Sequence, residues 1–402
     1  MPGSPTDLDE SARKKRAAVV LYTQGVVFSF TLGMLLILVP LYILSLGYDV
    51  AGLGLIISAQ GLFQVILRLL GGAFADRVGE RWVILSSFAS LLVGSLLMAA
   101  FETLAPMVVA QLLIGASRAI YWTSSQSYGS RIDEAHASQT MGRFFGSGSA
   151  GQLVGTFFGG VAAGTIGYSA GFLVGAGLCA ASMLTVVFMP DLPRKAVMSL
   201  RAILAPVPRA FRSRVTILPA IMGFGTSIIA ALVSSVLQAF FVDEGYSEQT
   251  IGTLRALHSL GAVISGFAFG VMLARMGQRL MYATVLVGNG AFLALLVVTG
   301  DGFWATLLVM FVLGMVFNGG RVLYAGMTAD LSTPEQRGVF MAVLGIYWAA
   351  AQLIGPAVFG VIGIIFSIEA ALVAAGTAVL AAGLLTPLLY RLFASPSEKA
   401  PA

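Results

Sequence analysis

Four arginines of this chain lie inside long apolar stretches, where a charge is costly unless it faces water or a partner. They are Arg68, Arg118, Arg255 and Arg321. No Asp or Glu stands well inside these stretches. Guanidinium groups bind carboxylates and phosphates through paired hydrogen bonds. The four residues are therefore candidates for binding an organic anion, and the alternative is a structural hydrogen bond to a backbone carbonyl or a glutamine.

Polar neighbours accompany the arginines at helical spacing. Gln60 and Gln64 precede Arg68 at intervals of four residues, which places all three on one face of a helix. Two tyrosines and an asparagine lie three residues from a deep arginine, and these are Tyr121, Tyr324 and Asn318. Arg118 and Arg321 are the deeper pair, whereas Arg68 and Arg255 lie close enough to an end for their side chains to extend toward water. We expect this set to form a substrate or coupling site.

His258 follows Arg255 by three residues and is the only histidine within an apolar stretch. Its imidazole can titrate near neutral pH, so it is a candidate proton carrier, and a hydrogen-bonded lining residue is the alternative. The second histidine, His136, is distant, and Cys179 is the only cysteine. The sequence therefore predicts no metal site, no cofactor and no disulfide.

Composition places the chain in a lipid bilayer. Hydrophobic residues make up 58% of its 402 residues and charged residues only 10%, and the mean hydropathy is +0.92. Such a chain has too little polar surface to be soluble at this length. Its 48 glycines would weaken helices in water, but in lipid small residues let helix backbones approach closely.

The apolar stretches have the length of membrane-crossing helices, about 20 residues each. Twelve are found, at 18–45, 51–75, 82–101, 104–128, 139–164, 167–189, 217–242, 249–273, 280–299, 303–328, 337–364 and 368–391. The sequence thus predicts an all-α membrane protein of two six-helix bundles. The predicted parts are a tail at 1–16, a bundle at 17–190, a basic amphipathic linker at 191–216, a bundle at 217–392 and a tail at 393–402.

Charge is distributed unequally between the two sets of loops. Basic residues outside the spans, such as Arg131 and Arg275, fall in the tails and in every second loop. The opposite loops carry only acids, such as Asp49 and Asp301. By the positive-inside rule, both termini are expected in the cytoplasm. We expect a multi-pass protein of the inner or plasma membrane with no nucleic-acid partner.

A ten-residue pattern occurs twice, 198 positions apart and each time between two apolar stretches. Residues 72–81 read GAFADRVGER and residues 270–279 read GVMLARMGQR. A repeat at about half the chain length indicates two related bundles that face each other. The first copy resembles the cytoplasmic loop between transmembrane helices 2 and 3 of the major facilitator superfamily, and the chain is identified as a member.

The resemblance implies roles for the loop and for one arginine. The loop would hold the two halves together when the protein opens outward, through Gly72, Asp76, Arg77, Gly79 and Arg81. Asp76 would cap a neighbouring helix, and Arg77 would pair with an acid such as Asp133 or Glu134. Simple topology and loop solubility are the alternative. Arg118 resembles the family's fourth-helix arginine, which is tied to coupling and substrate binding.

Glycines recur at four-residue intervals in the predicted fifth helix and resemble the glycine-rich motif of proton-linked antiporters in this family. They are Gly151, Gly155 and Gly159, followed by Gly160. The second half carries Gly355 and Pro356 at a spacing of 200 from Gly155 and Thr156. We expect these residues to pack the fifth and eleventh helices at the interface between the halves, with ordinary small-residue packing as the alternative.

The residues and the resemblance together predict a secondary active transporter that moves a small organic solute, anionic or amphipathic, by alternating access. We expect protons as the coupling ion and a monomer as the working unit. The chain has no G-x-x-x-x-G-K-[ST] loop, which excludes transport driven by its own ATP hydrolysis. Two alternatives stay open: a multidrug or metabolite efflux antiporter, and a lipid-handling or sensor protein on the same scaffold. No catalytic triad or paired carboxylates lie at membrane depth, so no enzyme is expected.

Overall fold

The protein is described here by a computed structural model, which covers residues 5–133, 136–192, 205, 207–212, 216–330 and 337–393. Within these residues the regular elements are helices, and no strand occurs. They are α1 (Pro5–Ser45), α2 (Val50–Val78), α3 (Glu80–Ala100), α4 (Leu104–Ile132), α5 (Ala137–Thr165), α6 (Tyr168–Val186), α7 (Val207–Arg212), α8 (Ile217–Val233), α9 (Val236–Asp243), α10 (Glu248–Thr299), α11 (Phe303–Asp330), α12 (Arg337–Ile365) and α13 (Ile368–Phe393).

The twelve predicted spans all fall on these helices, so the twelve-helix fold is confirmed. The seventh span is divided between α8 and α9, and the eighth and ninth both lie in α10, which bends at Gly277. Ten segments of the described residues are long and apolar enough to cross a membrane. The other two predicted spans lie in α5 and in the first part of α10.

The predicted domain boundaries remain predictions. α1 starts at Pro5 and so continues the first span into the predicted N-terminal tail. Of the predicted linker, the short helix α7 is described, and its Phe211 ring lies 5.5 Å from the ring of Tyr347 in α12. Most of the remaining linker and nearly all of the predicted C-terminal tail lie outside the described residues.

The two halves, α1–α6 and α8–α13, meet where α2 packs on α12 and α5 packs on α10. Glycines allow the backbones to touch there. A Cβ atom added to Gly54 would lie 2.1 Å from the carbonyl oxygen of Pro356, and one added to Gly160 would lie 2.7 Å from Cα of Gly252. Both contacts lie toward the end of the molecule that carries the α1–α2 and α9–α10 loops. Any larger residue at these glycines would force the halves apart.

Aromatic side chains fill the centre of the first half. The rings of Phe28 and Tyr121 stack with centroids 3.6 Å apart, and Phe88 meets both rings edge-on. All three side chains are fully buried. This packing fixes α1, α3 and α4 relative to one another and so sets the position of the functional face of α4.

Candidate substrate site

Arg118 is held by a chain of two glutamines. Its Nη1 donates to Oε1 of Gln60 over 3.0 Å, and Nε2 of Gln60 donates to Oε1 of Gln111 over 2.5 Å. The contact is possible because Gly115 lets α4 touch α2: a Cβ there would lie 2.2 Å from the backbone oxygen of Gln60. Neutral amides therefore position the guanidinium without neutralising its charge.

Three arginines converge at the centre of the molecule. Arg68 of α2 and Arg321 of α11 both lie within electrostatic range of Arg118. The side chains of Arg68 and Arg118 are partly exposed, and that of Arg321 is exposed. All three nevertheless lie deep within the protein. This combination is expected for side chains that line a concavity. No acid among the described residues lies within salt-bridge distance of these three groups. Such a concentration of positive charge attracts an anion.

Arg68 also connects the two halves. A Cβ atom on Gly345 of α12 would lie 2.8 Å from Nη1 of Arg68, so the missing side chain provides room for the guanidinium. Tyr324 of α11 lies within electrostatic range of the same group. The ring of Tyr324 is in turn 6.0 Å from that of Trp348. The cationic centre is therefore bordered by aromatic rings of the second half.

A small cavity of about 20 Å³, room for about one water molecule, lies beside Arg118. Four polar side chains line it: Gln60, Arg118, Ser234 and Gln352. The remaining lining is apolar and comes mainly from α1, with Leu32, Leu35, Leu36, Val39 and Pro40, together with Ile57 and Ile114. Both halves contribute to this wall. A solute with polar ends and an apolar body would match this lining only once the two halves move apart and the cavity widens.

Arg255 does not extend toward water, so that prediction is wrong. Its side chain is only 4% exposed, and Nη2 donates to Oγ of Ser234 over 3.3 Å. Ser234 stands at the break between α8 and α9, where Ser235 has φ −143° and ψ −93°. His258, one turn further along α10, is also buried, and its ring lies 5.4 Å from that of Phe317. Neighbouring helices cover both side chains: Ser234 at the end of α8 contacts Arg255, and Phe317 of α11 contacts His258.

The remaining predicted site residues occupy three different places. Gln64 is buried on the same helix as Gln60, and its Nε2 has no partner within the described part of the chain. Asn318 donates through Nδ2 to Oγ of Ser265 over 3.2 Å, which joins α11 to α10. Tyr121 lies inside the first half against Phe28 rather than on the cavity wall.

The sequence of this chain matches a known protein family. The sequence profile described as Major Facilitator Superfamily matches residues 21–241 and again 215–402. The chain belongs to this superfamily. The quinolone resistance protein NorA of Staphylococcus aureus is 21% identical over 345 residues, which cover 85% of this chain and 88% of NorA. The putative niacin/nicotinamide transporter NiaP of Bacillus subtilis is 25% identical over 124 residues, 30% of each chain.

Solved structures share the fold. The nucleoside transporter NupG superimposes with a TM-score of 0.76 at 14% identity and covers 94% of this chain and 99% of its own. A POT family transporter in complex with 5-aminolevulinic acid has a TM-score of 0.76 at 14% identity, with 96% of each chain covered. The protein is thus a multi-pass membrane transporter of the major facilitator superfamily.

The family's repeated loop has the same backbone conformation in both halves. Gly79 has φ 98° and Gly277, at the equivalent position 198 residues later, has φ 71°. Residues with side chains rarely adopt this left-handed conformation, so glycine is required at both turns. The side chains of residues 69–76, which include Gly72 and Asp76, lie outside the described part of the chain. The side chain of Arg77 is exposed. Arg81 lies over the ring of Trp82, 5.8 Å from its centroid.

Acids near the loop contact partners inside the first half. Glu80, which follows Gly79, is buried, and its Oε1 accepts hydrogen bonds from Nη2 of Arg131 and from Oγ of Ser127. Oδ2 of Asp133, the suggested partner of Arg77, lies 3.0 Å from Nδ1 of His136. Glu134, the other suggested partner, is outside the described residues. The loop is thus joined to α4 by an ion pair within one half.

The glycine ladder of α5 packs mainly inside the first half, which corrects its predicted place at the interface. Added Cβ atoms at Gly151, Gly155 and Gly159 would lie 2.3, 2.1 and 2.9 Å from the backbone oxygens of Val26, Phe30 and Met34 in α1. Gly160 faces the other half instead. In α12, the carbonyl of Pro356 faces Gly54, whereas Gly355 faces Ala231 and Ile228 within its own half. Neighbouring positions on one helix therefore contact different halves.

Sequence reasoning missed several residues of this site. Gln111 precedes Arg118 by seven residues, two helical turns, so its place on the same face could have been recognised from the spacing. The adjacent pair Ser234 and Ser235 interrupts an otherwise apolar stretch, which was the available signal for the broken helix. Nothing in the spacing pointed to Gln352, because it enters the cavity from the other half.

Proposed function

We propose that this transporter carries a small organic anion with an apolar body, coupled to protons. The observation that supports the proposal is the convergence of Arg68, Arg118 and Arg321, without an acid among their described neighbours. Burying unpaired charge is costly, and an anionic solute would offset that cost during its passage. The apolar wall of the adjoining cavity would contact the rest of the solute.

A second candidate function is the export of amphipathic drugs, which the similarity to NorA favours. The aromatic rings favour it as well. Trp122 stacks on Phe145 at 6.0 Å, and Tyr324 contacts Trp348. Flat aromatic solutes bind well to such surfaces. The two candidates differ in the charge that the site requires: cationic drugs would be repelled by three arginines, whereas anionic or zwitterionic compounds would not.

Proton coupling in this proposal depends on His258. It is a buried imidazole of the described spans, a side-chain type that can take up and release a proton. Its neighbour Arg255 lies within electrostatic range, so an anion arriving there would favour proton uptake by the imidazole. Solute and proton binding would then be linked without an intramembrane carboxylate.

The orientation of the protein in the membrane and the movement of its two halves are also part of the proposal. The loops α1–α2, α3–α4 and α5–α6 carry no basic residue, so we place them outside the cell and both termini in the cytoplasm of an inner or plasma membrane. Alternating access would require the contacts of Gly54 with Pro356 and of Gly160 with Gly252 to separate whenever the outer side opens. We expect each monomer to perform this cycle alone.

The test is a flux assay in liposomes that contain the purified protein and a pH-sensitive dye. Anionic and cationic aromatic compounds of matched size are added outside, and proton movement is recorded. We expect anions to cause movement, and Arg118→Gln to reduce the rate about a hundredfold, because hydrogen bonds to charged groups contribute about 1.5–3 kcal/mol. Arg391→Gln, at an exposed position in the last turn of α13, is the matched control.

Three results would change the proposal. Movement caused only by cations, and unaltered in Arg118→Gln, would support the drug-export candidate instead. Anion exchange without proton movement would remove the coupling ion but retain the solute class. If His258→Gln still couples protons at the wild-type rate, the histidine is not the carrier.

A further inference from the structure

The buried cluster at the break between α8 and α9 has unused hydrogen-bonding capacity. Arg255 is 4% exposed, yet its Nε and Nη1 find no partner among the described residues. The Nε2 atom of His258 is also without a described partner. Buried donors are nearly always satisfied in folded proteins. Arg255 carries a positive charge and unused hydrogen-bond donors, so it is suited to bind an anionic group of a solute.

This cluster adjoins the wall of the cavity that contains Arg118. The Oγ of Ser234 accepts from Nη2 of Arg255, and Ser234 itself lines the cavity with Arg118 and Gln60. The two cations come from opposite halves, Arg118 from α4 and Arg255 from α10. The rest of the lining is largely apolar, with side chains such as Leu36 and Ile57. Arg118 is thus part of the cavity wall, and Arg255 lies one hydrogen bond behind it, at Ser234.

We propose that the transported solute carries two anionic groups on an apolar body, one held by Arg118 and Gln60 and the other by Arg255 through the wall at Ser234. This inference rests on the proposed function and specifies its substrate class. A dicarboxylate would join the two halves through its two ends, whereas a monocarboxylate would engage only one. Two charge-assisted contacts bind more strongly than one and orient the solute along the cavity.

Ser234, at the helix break, controls the second contact. Its Oγ is the one described hydrogen-bond partner of Arg255, whereas the neighbouring Oγ of Ser235 donates to the carbonyl of Ala231 over 2.7 Å. A small rotation of the Ser234 side chain would also release Nη2 of Arg255, so that the guanidinium could turn its donors to a solute. Ser234 is thus placed as a positioning residue for Arg255.

The experiment compares pairs of solutes that differ by one charge. Terephthalate is tested against monomethyl terephthalate, and succinate against monomethyl succinate, in liposomes containing the wild-type protein. We expect each diacid to have a KM at least tenfold lower than its monoester. In Arg255→Gln the KM of the diacid should rise to that of the monoester, so that the ratio of the two KM values falls to about one. Arg118→Gln should impair both.

Ser234→Ala and Arg255→Lys keep the test valid if Arg255→Gln fails to fold. Ser234→Ala should shift the ratio of the two KM values by severalfold at nearly constant kcat, and Arg255→Lys should retain the preference in part. Equal transport of diacid and monoester by the wild type would overturn the inference while the proposed function stands. A diacid preference that persists in Arg255→Gln would do the same. Failure of all four anions would refute the proposed function itself.

Discussion

The two halves of the molecule hold their buried arginines in different ways. In the first half, Arg118 donates to Gln60, which donates to Gln111, so a hydrogen-bonded chain holds the guanidinium. In the second half, Arg255 has one described partner, Ser234, and two buried nitrogen atoms without any. No fully buried nitrogen of Arg118 lacks a described partner in this way. Removing a partner should therefore cost stability in the first half and function in the second.

The largest expected effect on stability concerns the ion pair at the repeated loop, where the two halves also differ. Glu80 pairs with Arg131, whereas the equivalent residue of the second copy is Gln278. Glu80→Gln would remove the buried carboxylate that pairs with Arg131, whose side chain is 9% exposed. Because breaking a buried pair is strongly destabilising, we expect the free energy of unfolding to fall by about 3 kcal/mol.

Chemical unfolding of the purified protein in detergent measures this loss. Glu102→Gln, at an exposed acid in the opposite loop, serves as the control and should change stability by less than about 0.5 kcal/mol. Equal stability of Glu80→Gln and wild type would show that the first half does not depend on this pair.

An intermediate effect is expected for the glutamine chain. Gln111→Leu removes the acceptor of Nε2 of Gln60 and leaves a buried amide donor without a partner. We expect a loss of about 1–2 kcal/mol, because an unsatisfied buried group costs that much. The same unfolding measurement applies, with Gln139→Leu at an exposed position of α5 as the matched substitution. If both variants lose the same amount, the chain contributes nothing specific.

The smallest effect is expected in the second half. Arg255→Met replaces a buried, incompletely bonded charge with an apolar side chain of similar length. Such replacements are often neutral or stabilising, so we expect unfolding free energy to be unchanged or to rise by about 1 kcal/mol. The KM of a diacid should nevertheless rise to that of its monoester. A fall in stability as large as that of Glu80→Gln would mean that the two halves hold their arginines alike.

The sequence predicted the helices and the repeat because both depend on local properties. Hydropathy located the spans, and the equivalent positions of Gly79 and Gly277 could be read from the spacing alone. The depth of Arg255 was misjudged, because distance along a helix does not show that a neighbouring helix covers the side chain. The partners of the α5 glycines were misplaced for a related reason: the ladder indicates close packing but not which helix approaches. Rotation of each helix about its axis was the missing information.

The break at Ser234 gives the two pieces of one span different attachments. Nε2 of Gln238 in α9 donates to the carbonyl oxygen of Leu36 in α1 over 2.7 Å, a bond to the opposite half. α8 packs within its own half, on α11, α12 and α13. When the halves rotate against each other, the inner piece moves with its own half, whereas the outer piece contacts α12 and α13 of its own half and α1 and α2 of the opposite half. The resulting torque falls on Ser235, whose backbone has already left the helical conformation, so the span can act as an elbow between two rigid arms.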